Sequence, residues 1–306
     1  LPNPPEGAIL NYYLKSAASG PVTFEVLQAD GRVVRRYSSA DPVAAIPDPS
    51  VAPLPQYWYR PPQHLSAEPG MHRFTWDVHY HPLGSGGGGR GGGLPIAAAA
   101  FDTVPPPSTP WVSPGAYTVK LTVNGKSYTQ PITVKQDPRV KTPALAMQQL
   151  YTLTKASYFG AVDAQGAASE AAALRAQVNE LTPRASGALT ETLAAFDRKV
   201  AVLIGGAPDA AATPGRGGRG GGRGGPPTGG TAGATLTSVE GSLTGSMNLL
   251  QGADVTPPAS SVATMTQAQQ AAAAVMARWT TIKTVDLPAV NAQLKAAGLP
   301  ALTLGR

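Results

Sequence analysis

In residues 115–134, GAYTVKLTVNGKSYTQPITV, Tyr117, Val119, Leu121 and Val123 alternate with polar neighbours, and Tyr128, Ile132 and Val134 take up the alternation after Asn124-Gly125. A period of two puts one set of side chains on one face of a strand. Asn-Gly supplies the two positive-φ residues of a tight turn, so the stretch predicts an antiparallel hairpin. Short runs rich in β-branched and aromatic residues, AILNYYL (8–14), VTFEVLQ (22–28) and VVRRYS (33–38), predict three further strands, with Asp30-Gly31 turning the second into the third. MHRFTWDVHY (71–80) has the same composition. Read as one strand, it sends Trp76, Val78 and Tyr80 to a core and leaves Asp77, His79 and His81 on the solvent face.

At DPRVKTP (137–143) the period changes from 2 to 3.6. Thr142-Pro143 is a helix start, with Thr as N-cap and Pro at the first helical position. Leu145, Leu150, Tyr151, Leu153 and Tyr158 follow, then Leu174, Val178 and Leu181 beyond an Ala-rich stretch. Thr182-Pro183 repeats the start signal ahead of Leu189, Leu193, Phe196, Val200 and Leu203. A third helix is expected from Thr237, with Thr237 and Glu240 as a capping box, carrying Val239, Leu243, Met247 and Leu250. A fourth is expected from Thr266, boxed by Gln269, with Val275, Met276, Trp279 and Ile282. Asp286-Leu287-Pro288 should restart or kink it before Val290 and Leu294, and Gly298 and Pro300 should end it. Narrow apolar stripes on successive helices predict an up-and-down antiparallel bundle.

These patterns give an α+β protein of two domains. Residues 1–141 form an antiparallel β-sandwich of the immunoglobulin or fibronectin-III kind, with a Gly-rich insert at 84–93. Residues 142–306 form the helical bundle, with a Gly/Arg-rich loop at 205–230. VPPPSTPWVSPG (104–115) reads as extended, polyproline-like chain leading into the hairpin.

Composition narrows the chemistry. The 306 residues include 35 Gly and 31 Pro and no Cys, which removes disulfides and thiolate metal sites. The net charge of +6 divides evenly, with 12 Lys+Arg against 9 Asp+Glu in residues 1–141 and the same numbers in 142–306. Without a basic cluster, charge does not point to nucleic acid. The Arg-Gly units of 205–230 lack the interleaved aromatics that single-strand binding draws on, so they read as a solvated loop. No apolar run is long enough to span a bilayer. The chain opens at Leu1 without a leader, and a signal sequence is expected upstream.

Candidate sites are few. Asp77-x-His79-x-His81 would give three ligands to a zinc ion if all three share a strand face, but the simpler reading is a polar, solvent-facing side. No metal and no cofactor are expected, and Asp77, His79 and His81 are the only candidates for one. His64 and His72 have no partner at a recognisable spacing. Gly241 and Gly245, four apart inside a helix, are read as allowing close helix approach rather than as a nucleophile elbow. Aromatic and Arg side chains are enriched where proteins dock. Tyr57, Trp58, Tyr59 and Arg60 in YWYRPP, with Arg90 and Trp111, are therefore the candidate partner contacts.

NPPEGAILNYYL, LSAEPGMHRFTWDVHY, PGAYTVKLTVNGKSYTQPITVKQDPRVKTP and DLPAVNAQLKAAGLP, in that order, resemble the C-terminal region of bacterial sortilin-like BNR-repeat exo-proteins. In that family a sandwich and a helical tail follow a β-propeller. The glycosyl hydrolase label attached to the family belongs to the propeller, whose S-x-D-x-G-x-T-W box is missing from this sequence. The resemblance implies a non-catalytic, extracytoplasmic interaction or scaffold module, located in the periplasm or cell envelope. Its expected partners are other protein subunits, and an accessory role on the outer face of a membrane complex, for example of the photosynthetic reaction-centre type, is one form this could take. The alternative is an accessory region of a carbohydrate-active enzyme, or a carbohydrate-binding sandwich with Tyr57, Trp58 and Tyr59 as its platform.

Overall fold

The structure is a computed structural model that describes residues 7–43, 48–50, 55, 58, 63–83, 109–205 and 233–304. Tyr57, Tyr59, Arg60, Arg90, the insert 84–93 and residues 206–230 of the expected loop lie outside the described residues. The protein is α+β. Its strands are β1 (Ala8–Leu14), β2 (Thr23–Leu27), β3 (Val33–Ser38), β4 (Gly70–Trp76), β5 (Gly115–Val123) and β6 (Lys126–Val134). Its helices are α1 (Ala144–Leu181), α2 (Ala188–Ile204), α3 (Leu236–Leu250), α4 (Ala259–Thr281) and α5 (Leu287–Ala296). Among the described residues, no helix is long and apolar enough to cross a membrane.

The chain divides into two compact units, Leu1–Lys155 with Asn248–Pro257, and Ala156–Met247 with Pro258–Arg306. The division falls inside α1 rather than at the change of period near residue 141. The reason is local, because the first turns of α1 are tied to the β region by side chains. Tyr151 donates its hydroxyl to Gln136 Oε1 at 3.0 Å and Lys155 Nζ lies 5.8 Å from the Tyr80 ring centre, while Thr142, just before α1, donates to the Asp254 carbonyl between α3 and α4 at 2.5 Å.

In the first unit, β1 and β4 pair antiparallel, and a second antiparallel sheet has the order β3-β2-β5-β6. Alternation works as the pattern requires: Leu10, Tyr12, Leu14, Phe24, Val26, Phe74, Trp76, Tyr117 and Val119 are buried. Rings from the two sheets meet, Tyr12 on Phe24 at 5.3 Å and Phe24 on Phe74 at 6.2 Å. The β5–β6 turn is built as predicted, with Asn124 and Gly125 at φ 49° and 77°. Beyond it β6 departs from the expected alternation, since it is an edge strand and Tyr128 is exposed. With a two-residue turn the flanking Val123–Lys126 pair is hydrogen-bonded. Counting outward along the register, Pro131 opposite Thr118 has its nitrogen on the unpaired edge. A proline there removes no ladder bond and blunts the edge against further pairing.

In the second unit, the stripes on α2 and α3 are buried as the periodicity predicts. α1 is one unbroken 38-residue helix. The Ala-rich stretch is the middle of its stripe, with Ala161, Ala164, Ala167 and Ala171 all buried. Helix starts differ from expectation. Thr182–Arg184 is a 3-10 turn, and Thr182 donates back to the Val178 carbonyl at 2.7 Å instead of capping a helix. Thr235, not Thr237, caps α3: its Oγ1 accepts from Ser238 N at 3.2 Å while Ser238 Oγ accepts from Thr235 N at 2.9 Å. Thr237 instead donates to the Ile204 carbonyl at 2.7 Å. α4 begins at Ala259, seven residues before Thr266. The expected restart or kink before Pro288 is a π segment, Ile282–Asp286, that joins α4 to α5 without a break in the helical backbone, with Pro288 in the first turn of α5. Gly298 at φ 71° closes α5, with Leu299 N on the Leu294 carbonyl and Gly298 N on that of Lys295, a Schellman end. Gly241 and Gly245 face open space; the close approach is at Gly160, where an added Cβ would lie 3.0 Å from Leu243.

Candidate functional site

The segment 77–81 is not a strand continuing β4. β4 stops at Trp76, and Val78 adopts φ 52°. A β-branched residue in the left-handed region is strained, by about 1–3 kcal/mol, and here it reverses the alternation. His79 and Tyr80 both become buried while Val78 is only half-buried, and His81 is exposed. Asp77, His79 and His81 therefore do not share a face. Among the described residues no three His, Asp or Glu side chains are grouped to hold a metal ion.

Each of the three has a separate environment. Asp77 Oδ1 accepts from the Tyr37 hydroxyl at 3.3 Å, and its Oδ2 lies 3.8 Å from Arg35 Nη2. Arg35 Nη1 donates to the Tyr80 carbonyl at 3.1 Å, and its guanidinium carbon stands 4.7 Å from the Tyr37 ring centre. Burial, and then the Asp77 charge, push the Tyr37 phenol well above its ordinary value, so it remains a neutral donor. Arg35, Tyr37, Asp41, His64, Phe74 and Asp77 border a cleft of about 380 Å³. His81 is fixed by its backbone, which donates to the Val34 carbonyl at 3.0 Å. His72, on β4, lies with its ring 5.0 Å from that of Tyr12 and its Nε2 2.7 Å from the Glu68 carbonyl.

His79 is turned inward under Trp111, with ring centres 3.8 Å apart and planes at 40°. Its Nδ1 is 2.6 Å from the Asp77 carbonyl. A carbonyl only accepts, so the neutral ring carries its proton on Nδ1. Nε2 is left as a buried acceptor with no hydrogen-bond partner. Protonation would put a charge and an unmatched donor there, and burial accordingly holds His79 below its ordinary value of 6.5. His81 is shifted the same way, by burial first and then by Arg35. The sign follows. Well above pH 6.5 both rings are neutral in folded and unfolded chains alike. Below it the unfolded chain takes up protons that the folded one refuses, so stability falls as pH drops. Denaturant unfolding at about pH 7.5 and 5.5 should show this loss. His79→Phe, which keeps a ring against Trp111, should reduce it to the part due to His81; an unchanged slope in that variant would show that His79 is not a source.

Trp111 is held in place by backbone as well as by stacking. It forms an isolated antiparallel bridge with His79, Val112 N donates to the Val78 carbonyl at 2.9 Å, and Tyr80 N donates to that of Pro110 at 3.1 Å. The indole is nevertheless 37% exposed. It lines a cleft of about 340 Å³ with Val78, Pro114, Gln136, Tyr151 and Asp254. A second cleft of about 600 Å³, bordered by Thr142, Gln148, Thr152 and Lys155, shares Pro114, Gln136 and Tyr151 with the first. Gln136 Oε1 accepts from Tyr151, and Gln136 Nε2 reaches Asp254 Oδ2 at 3.5 Å, the far end of hydrogen-bond range. Burial, with a contribution from the Asp254 charge, pushes the Tyr151 phenol up to about 12.

Of the expected partner contacts, Trp58 and Trp111 are described, Trp58 half-buried and Trp111 at the mouth of this cleft. Gln136, Tyr151 and Asp254 come from three separate stretches of chain, each carrying ordinary residues, and no local pattern marks them. The signal that existed was Trp111, a lone tryptophan in a Pro-rich connection. No protein-family model, no curated protein and no solved structure matches this chain.

Proposed function

We propose that this chain is a non-catalytic interaction module that docks on other protein subunits. The observation carrying this reading is the outer face of the β1–β4 sheet. Tyr13 and Met71 are direct cross-strand partners, and Ile9 lies on the same face four register pairs along. Tyr13 is 64% and Met71 73% exposed. Beside them Arg73 Nε donates to Asn11 Oδ1 at 3.3 Å, which holds the guanidinium on that face. A side-by-side Tyr, Met and Arg is the composition of a protein-docking patch. The candidate metal ligands of the sequence fit the same reading, since Asp77 faces Tyr37 and Arg35 while His79 is buried under Trp111.

The two sheets with their meeting aromatic rings support an immunoglobulin- or fibronectin-III-like sandwich in this reading. The tail of a sortilin-like, BNR-repeat exo-protein, acting outside the cytoplasm on a membrane-associated assembly, is the setting that fits the resemblance in sequence. The test is Tyr13→Ser with Met71→Lys. Both positions are exposed, so the pair should leave the melting temperature nearly unchanged, within about 0.5 kcal/mol per site. Comigration with native membrane complexes on a density gradient should be lost. Comigration equal to that of the unmodified chain would remove this face as the docking surface.

A further inference from the structure

We propose that the Trp111 cleft is a binding site for a neutral sugar residue of a glycan, with the indole as its stacking wall and Gln136, Tyr151 and Asp254 as its hydroxyl partners. The site is distinct from the Tyr13–Met71 face, and neither reading depends on the other.

Four features carry the assignment. The two adjoining spaces, about 340 and 600 Å³, fall in the size range of small-molecule sites, ~300–1,000 Å³. Trp111 is presented in a fixed pose, with one side on His79 and its backbone bridged to it, so a ligand meets a large apolar surface whose ordering is already complete. The strained backbone of Val78 stands in the wall of the same cleft and is what turns His79 beneath the indole. Strain of this kind persists where the surrounding structure holds it, and it concentrates at ligand sites.

The fourth feature is the donor and acceptor set, which selects the ligand class. A sugar hydroxyl both donates and accepts, and it is met by groups that do likewise. The Gln136 amide and the Tyr151 hydroxyl each do both, and the Asp254 carboxylate accepts. The 3.5 Å contact between Gln136 and Asp254 is weak enough to open for a ligand hydroxyl. Asp254 is exposed and has no ion pair among the described residues. The lining charges balance, with Lys135 and Lys155 against Asp137 and Asp254, and Asp137 is held by Arg139 at 2.6 Å. No excess of either sign favours an ionic ligand. A pyranose offers C–H bonds on its faces and hydroxyls at its rim, matching an apolar wall of Trp111, Val112 and Pro114 beside this polar edge.

The experiment titrates the full chain with maltotetraose, cellotetraose, mannotetraose and tetra-N-acetylchitotetraose, following calorimetry and tryptophan fluorescence. At least one should bind with Kd at or below about 1 mM. Trp111→Ala should weaken that binding at least tenfold, Trp111→Tyr should retain part of it, and Asp254→Ala should weaken it severalfold. Because Trp111 also stacks on His79, Trp111→Tyr and Asp254→Ala serve as the variants that keep the fold, and Tyr128→Ser, at an exposed position of β6 outside the cleft, serves as a variant with unaltered binding. No binding by any of the four sugars, or binding insensitive to both Trp111→Ala and Asp254→Ala, overturns the proposal. Capture of a proline-rich or acidic peptide at this cleft in place of the sugars overturns it too.

Discussion

Trp76→Ala is expected to destabilise the first unit by about 3–5 kcal/mol, the usual range for truncating a buried large aromatic side chain. The indole is fully buried and packs edge-on to the Tyr117 ring at 5.8 Å, which is the link from β4 to β5. Its Nε1 donates to the His79 carbonyl at 3.2 Å. Truncation thus removes the packing and also leaves that carbonyl without this donor, inside a segment already strained at Val78. Chemical unfolding followed by near-ultraviolet dichroism should show the transition of the β region at lower denaturant. Far-ultraviolet helical signal should persist beyond it, because α2 to α5 belong to the other unit apart from the last residues of α3. An unchanged midpoint would mean that the β4–β5 packing is not what holds this unit.

Ala164→Leu is the second large effect. Ala164 is completely buried, as are Ala161 and Ala171 on the same stripe of α1. Three added carbons have no space to enter, and overpacking a close-packed core costs about 1–3 kcal/mol. The neighbourhood is anchored on both sides. Arg175 holds Asp197 of α2 through two bonds of 2.7 and 2.9 Å, and Lys283 Nζ lies 3.6 Å from Glu170. A helix pushed outward by the leucine would stretch these pairs. Ala172→Leu, at an exposed position of the same helix, is the control and should shift stability by no more than about 0.5 kcal/mol. Thermal melts at 222 nm separate the two, and equal effects would show that the alanine stripe is not a packing surface.

What the sequence determined by itself was periodic. β1 and β3 lie where the β-branched and aromatic runs placed them, and the Asn124-Gly125 turn has the conformation that its residues favour. Leu189, Leu193, Phe196, Val200 and Leu203 are buried because a 3.6-residue repeat must present one face. Gly298 ends α5 because the left-handed position costs glycine nothing. These are local constraints, set within a few residues of the chain.

The tertiary structure decided what depends on a neighbour. Alanine carries little hydrophobic signal, so the middle of α1 became legible as a core surface only once other helices lay against it. The caps at Thr182 and Thr237 went to other partners because a nearby carbonyl competed for each hydroxyl. Strand alternation predicted one polar face for Asp77, His79 and His81, and a single residue, Val78 at φ 52°, reversed it. That conformation is unfavourable for valine alone and survives because the Trp111 bridge and the hydrogen bonds of Val112 and Tyr80 hold the backbone on both sides. The candidate site follows from the same fact. Trp111, Gln136, Tyr151 and Asp254 are distant in sequence and meet only because the first turns of α1 and residues 248–257 fold onto the β region, and no pattern within any one of those segments records that meeting.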